Sequence, residues 1–264
     1  MNGLPDALIR RLRELSQTPR LLVALDFDGT LAPEVDVPDD ARAIPAAREA
    51  VLRLLRVPHT RVALVSGRAM ESLIRVTDLP DNVLLFGSHG IEARLDTPDT
   101  TLTLDEAERG LVEVLGLLLN DVAEKFEHVW IEAKPAGFAL HTRLASAGNA
   151  RDAHEIALAV ASAELVGLTV RRGKNVLEFS VRTTNKGDAL NRLRDYAGAT
   201  AVLYAGDDVT DEDAFAALVG SDFGLKSGPG ETGAEFRVPE PEDVAAVLEK
   251  LAEFRENAYQ SPTL

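Results

Sequence analysis

The sequence predicts an α/β protein with a doubly wound parallel-sheet (Rossmann-like) core and an α+β domain inserted into it. Three observations carry this expectation. Apolar runs recur with turn residues directly behind them, at Leu21–Leu25, Arg61–Val65, Val83–Phe86 and Ala201–Ala205, as in strands buried on both faces. Stretches of helical spacing separate the runs, and strand–helix–strand alternation builds parallel sheets. From about residue 94 to residue 181 the alternation gives way to two long helical stretches and four strands of period two, the mark of an antiparallel layer. The expected division is therefore a core of 1–93 and 182–264 and an insert of 94–181.

The elements follow in order. Leu4, Leu8, Leu12 and Leu15 lie at helical spacing among arginines and predict a leading amphipathic helix. Leu21–Leu25 is the first buried strand, stopped by Gly29 and Pro33. Residues 33–40, rich in Pro and Asp, read as a loop. Pro45 opens a helix, as a first-turn proline can. A second strand ends in Ser66-Gly67-Arg68, a helix starts near Met70, and a third strand ends in Gly87-Ser88-His89-Gly90. The insert reads as a hairpin around Thr97-Pro98-Asp99, a helix over 105–127, strands 128–134 and 137–143, a helix over 149–166, and strands 168–172 and 175–181 joined at Gly173-Lys174. The core resumes with a helix from Lys186, the strand Ala201–Ala205, a short strand near Asp222–Leu225 and a helix over 241–255.

Composition narrows the function. A formal net charge of −15 over 264 residues disfavours a nucleic-acid partner, which needs a basic face. It also disfavours anions, so a phosphate site must be built from a few local cations and N–H groups. No apolar run has the length to span a bilayer, and no membrane partner is expected. The N-terminus has no signal-peptide pattern and there is no cysteine, which is compatible with a cytoplasmic location.

The strand ends hold the chemistry. Asp26 and Asp28 follow the first strand, Ser66 and Gly67 the second, and Asp207, Asp208 and Asp211 the strand at 201–205, while Lys186 opens a helix. Taken singly, Asp-Gly and Ser-Gly are ordinary turns, a helix-opening lysine is ordinarily solvated, and an acid cluster can cap a helix. Taken together, they place a nucleophile, a second acid, phosphate donors and metal ligands at one edge of one sheet, where open α/β sheets bind ligands. Neighbouring carboxylates repel, and Mg2+ would relieve them. Asp26 can attack phosphorus, and Asp28 can protonate the leaving oxygen and then activate water. Mg2+ and Lys186 can screen the charge of a phosphate dianion.

These motifs, DFDGT at 26–30, Ser66, Lys186 and GDDVTD at 206–211, resemble the haloacid dehalogenase superfamily of phosphohydrolases. VSGR at 65–68, GSHGIE at 87–92, KPAGFALHTR at 134–143, GKNVLEF at 173–179 and NKGDAL at 185–190 are similar to the trehalose-6-phosphate phosphatases within it. The resemblance implies an inserted α+β cap domain that sets substrate specificity. It implies Asp26 as nucleophile and Asp28 as general acid/base. It gives Mg2+ to Asp26, Asp207 and the main-chain carbonyl of Asp28, with Asp208 and Asp211 in support. Phosphate falls to Ser66, Gly67 and Lys186, and the sugar to Lys134, Arg143, Lys174 and Glu178. Independently, period-two alternation puts Trp130, Glu132 and Lys134, then His141 and Arg143, then Glu178 on one sheet face. A solvated face would show the same pattern, but mixed cations and acids suit a sugar, whose hydroxyls both donate and accept. The expected partner is a small sugar phosphate, trehalose 6-phosphate first. Sucrose 6-phosphate, a hexose phosphate, a phosphomannomutase reaction and a catalytically silent sensor are the rivals.

Overall fold

The five residues Leu21–Leu25 form the centre of a seven-stranded sheet, and every one of them is buried. The structure, a computed structural model, describes residues 4–96, 104–173 and 175–260. The hairpin expected around Thr97-Pro98-Asp99, and Lys174, lie outside the described residues.

In chain order the core begins with α1 (Asp6–Leu15), β1 (Leu21–Leu25), α2 (Pro45–Arg56), β2 (Thr60–Val65), α3 (Met70–Thr77), β3 (Leu84–Gly87) and β4 (Glu92–Arg94). The insert follows with α4 (Glu106–Ala123), β5 (Trp130–Lys134), β6 (Gly137–His141), α5 (Ala147–Glu164), β7 (Thr169–Gly173) and β8 (Val176–Ser180). The core closes with α6 (Lys186–Ala197), β9 (Ala201–Gly206), α7 (Glu212–Ala216), β10 (Phe223–Ser227), β11 (Phe236–Val238) and α8 (Pro241–Gln260).

The core sheet has the order β11-β10-β9-β1-β2-β3-β4, parallel except for β4. Because side chains alternate along a strand, Leu21, Val23 and Leu25 join the cluster of α1, α2, α3 and α8, while Leu22 and Ala24 join that of α6 and α7. Full burial of one leucine side chain is worth about 1.5–3 kcal/mol, and β1 holds Leu21, Leu22 and Leu25 out of water. At the far end of the strands from the acids, the fully buried Arg255 of α8 donates to the carbonyls of Ser16, Thr18 and His59 and to Thr60 Oγ1.

The chain divides into two compact units, Met1–Thr101 with Thr184–Leu264, and Leu102–Thr183. The core runs past residue 93, where the sequence reading ends it, because β4 pairs antiparallel with β3. β4 and β11 are three residues each, too short for a periodic signal. The second unit is a four-stranded antiparallel sheet, β5-β6-β8-β7, with α4 and α5 packed on one face. α4 starts with a reciprocal cap: Asp105 accepts from the Glu108 N–H, and Glu108 accepts from the Asp105 N–H, both at 2.8 Å. Glu108 also takes a two-pronged pair from Arg182, at 2.9 Å on each oxygen. Among the described residues no helix is long and apolar enough to cross a membrane.

Candidate active site

Asp26 leaves the end of β1 with its N–H on the carbonyl of Ala205 in β9, at 2.9 Å. That bond aligns the two acidic strand ends. The chain then reverses: the N–H groups of Leu31 and Ala32 both reach Phe27 O, and Gly29 takes φ +72°. A Cβ at Gly29 would lie 2.0 Å from Asp207 Oδ2, so the glycine serves both the turn and the approach of Asp207.

Lys186 stands at the start of α6, and two carboxylates offset its place against the helix dipole. Its ammonium, 2% exposed, is 3.1 Å from Asp26 Oδ1 and 2.7 Å from Asp211 Oδ1. Burial works against the charged ammonium, but Asp211 and Asp26 outweigh it and the pKa is raised. Asp26 goes the other way from an ordinary acid. Burial, then the charges of Asp211, Asp207 and Asp28, raise its pKa in spite of Lys186. Asp207 is pushed up to about 6 by burial and by Asp211.

The carboxylates of Asp26, Asp207 and Asp211 each offer an oxygen within 4.8 Å of the others. Of the three, Asp211 is already fully engaged. Its Oδ1 accepts from Lys186 Nζ and from the Tyr204 hydroxyl at 2.6 Å; its Oδ2 accepts from the N–H groups of Asp207 and Asp208 at 3.0 and 2.9 Å. Four bonds use the lone-pair sites of a carboxylate. Burial tends to raise its pKa, but Lys186 and these bonds hold it low. Asp211 therefore organises the loop, and Asp26 and Asp207 remain as the anionic donors. Two crowded, desolvated carboxylates with raised pKa values fit a hard divalent cation.

The remaining predicted residues sit as follows. Asp28 gives both carboxylate oxygens to Arg68, at 2.6 Å each, which leaves its main-chain carbonyl as the group for an ion. Asp208 is exposed, and its carboxylate caps the Val209 N–H at 2.7 Å. Ser66 is buried, and its Oγ accepts the Arg68 N–H at 3.1 Å, with its own proton left to donate. Gly67 has no room for a side chain, because a Cβ would lie 2.7 Å from the His89 ring. Sequence reasoning missed Arg68, Tyr204 and Lys226. Lys226, 3% exposed at the end of β10, donates to the Asp207 carbonyl. A lysine ending an otherwise apolar strand was the available signal.

In the second unit, the register puts Glu132, Ala139, Glu178 and Arg171 in one row across the sheet. The opposite face, with Leu140, Leu177 and Phe179, packs on the helices. Glu132 accepts from Lys134 Nζ at 2.7 Å and pairs with His141 Nε2 at 2.9 Å, and Trp130 stacks on His141 at 5.0 Å between ring centroids. The bond to His141, with Lys134 behind it, lowers the Glu132 pKa to about 2 against the effect of burial. Arg143 is not on the strand as expected. β6 ends at His141, Thr142 bonds to Asn175 O, and Arg143 occupies the exposed turn beyond.

A family model described as trehalose-phosphatase matches residues 24–240, which takes in every acidic strand end. The chain belongs to the trehalose-phosphatase family. It is 33% identical over 96% of its length to the trehalose-phosphate phosphatase of Mycobacterium leprae, and 35% identical over 96% to that of Mycobacterium marinum. It spans 62% and 67% of those relatives. The C-terminal domain of C. albicans trehalose-6-phosphate phosphatase superposes with a TM-score of 0.79 at 22% identity, covering 94% of this chain and 96% of that one. At that identity the match establishes the α/β fold alone.

Proposed function

We propose that this trehalose-phosphatase family member is a Mg2+-dependent phosphatase that hydrolyses trehalose 6-phosphate to trehalose and phosphate through an aspartyl-phosphate on Asp26. One observation carries the reading: a buried Asp26 beside a buried Lys186, with a second acid, Asp28, two residues on. Structural economy would not bury that combination at a strand end. Asp26 forms the new bond to phosphorus. Asp28 gives its proton to the leaving sugar oxygen, then takes one from the water that cleaves the phosphoenzyme. Ser66, the Gly67 backbone and Lys186 hold the phosphate oxygens. Asp26, Asp207 and the Asp28 carbonyl would hold Mg2+, which supplies charge neutralisation for the transferring phosphoryl group. The inserted unit, Leu102–Thr183, acts as the specificity domain. Its mixed row of acids and cations suits sugar hydroxyls, with Lys134, Arg143, Lys174 and Glu178 as contacts. The cytoplasm is the proposed location.

The test is phosphate release across a panel of trehalose 6-phosphate, sucrose 6-phosphate and hexose phosphates, before and after chelation. Trehalose 6-phosphate is expected to be preferred, and activity to vanish on chelation and return with Mg2+. Preference for another ester would move the substrate assignment, and full activity after exhaustive chelation would remove the metal role of Asp207.

A further inference from the structure

Arg68 is fixed at each of its polar groups. Its Nε and one terminal nitrogen donate to the two oxygens of Asp28 at 2.6 Å, and the other terminal nitrogen donates to Ser72 Oγ at 3.2 Å. Its guanidinium carbon lies 5.8 Å from the centre of the Phe27 ring. Its backbone N–H donates to Ser66 Oγ, and its carbonyl accepts from the Ser88 N–H at 2.7 Å. The neighbouring turn is built to hold this loop. Ser88 and His89 take φ +48° and +54°, a conformation costly for two non-glycine residues in succession. In it, Ser88 bonds Arg68 O and His89 bonds Ser66 O. Glu92 accepts from both Met70 N and Ser88 Oγ, and the His89 ring fills the space a Gly67 side chain would need. The arginine side chain is 11% exposed and that of Asp28 36%. The guanidinium is thus the fixed member of the pair, and the carboxylate is the one being placed.

We propose that Arg68 is a positioning residue that aims Asp28 at the leaving oxygen. The proposal rests on the acid/base reading of Asp28 given above. A planar guanidinium fixes a carboxylate in plane as well as in place, which a lysine cannot do. The fork uses one lone-pair site on each Asp28 oxygen, and a carboxylate has about four. An outer site therefore remains for the transferable proton. In the step itself the bond from Asp26 to phosphorus forms, the bond from phosphorus to the ester oxygen breaks, and the Asp28 proton passes to that oxygen. The carboxylate left behind is held by Arg68.

The test is a series of substituted phenyl phosphates of graded leaving-group acidity plus one alkyl phosphate, with kcat/KM measured for the wild type, Arg68→Ala, Arg68→Lys and Asp28→Asn. Good leaving groups need no proton, poor ones do. A general acid contributes roughly 10²–10⁴-fold, so a misaimed one in Arg68→Ala should cost the alkyl ester about 10- to 100-fold and the most acidic phenol under about threefold. Arg68→Lys, which keeps the charge and loses the fork, should steepen the dependence to a smaller degree, and it serves if Arg68→Ala melts early. A uniform loss across the series in the arginine variants, with Asp28→Asn steep, would overturn the proposal and leave the acid reading intact. A wild-type slope in Asp28→Asn would overturn both.

Discussion

In the core sheet Asp26, Asp207 and Asp211 follow the ends of β1 and β9 and meet Lys186 from the start of α6, whereas in the second sheet Glu132, Lys134, His141 and Glu178 stand on the strands themselves. The cause is burial. β1 and β9 have both faces covered, so no charge is tolerated along them. β5, β6 and β8 pack only one face on helices, which leaves the other to carry charge. A charge at a buried strand end is desolvated and coupled to its neighbours, as the raised pKa of Asp26 and the pairing of Lys186 illustrate. A charge on a half-open face can still be paired, as Glu132 is with His141 and Lys134, but it keeps contact with solvent. The first arrangement suits chemistry that never changes; the second suits recognition that does.

The largest expected effect lies in the core. Asp26→Asn should lower phosphate release by at least about four orders of magnitude, as loss of a covalent nucleophile does, and do so equally for sugar and simple esters. Turnover near wild type in that variant would remove the covalent role. Next comes Asp211→Ala. Removing one partner of a buried ion pair costs about 3–5 kcal/mol, so denaturant unfolding should shift by that order while the secondary-structure spectrum of the folded state persists. A shift below about 1 kcal/mol, the scale of an exposed pair, would deny Asp211 its organising part.

Effects in the second sheet should be smaller and selective. A hydrogen bond to a charged group is worth about 1.5–3 kcal/mol, so Glu178→Ala should cost kcat/KM on trehalose 6-phosphate about one to two orders of magnitude. A small generic ester should hardly notice. Equal losses on both would take sugar recognition away from this face. The mildest effect is a pH dependence. The Glu132 pKa is depressed from 4.5 to about 2, so its stabilising contribution is complete above about pH 4.5 and fades as the pH falls toward 2. Glu132→Gln should therefore flatten the acid limb of stability against pH in that window. An unchanged acid limb would mean the pair with His141 contributes nothing to folding.

Much of this was legible in the residues. Each predicted core strand is present within a residue or two, because continuous apolar runs ending in Gly or Asp leave few alternatives. The polar face of β5, β6 and β8 follows from alternation alone. Arg143 fell off that face because a strand end is decided by a turn, here the one closed by the Ala145 N–H on Thr142 O, and turns leave little periodic trace. The Arg68–Asp28 fork was illegible for a different reason. Its partners are forty positions apart, and no local pattern joins them. Tyr204 lies inside the apolar run Ala201–Ala205 and its ring is in the core, against Phe215; only its hydroxyl serves Asp211.

The two-pronged pair between Glu108 and Arg182 spans seventy-four positions of chain. One partner sits in the first turn of the insert and the other just beyond its last strand, so the insert fastens its own entrance to its own exit. Joining the ends of a long loop costs entropy that grows with the logarithm of its length. Here the Glu108–Arg182 pair, which lies wholly within the second unit, offsets part of that cost. Such a unit can be lengthened or shortened between those two residues while the pairing of the core strands is left as it stands.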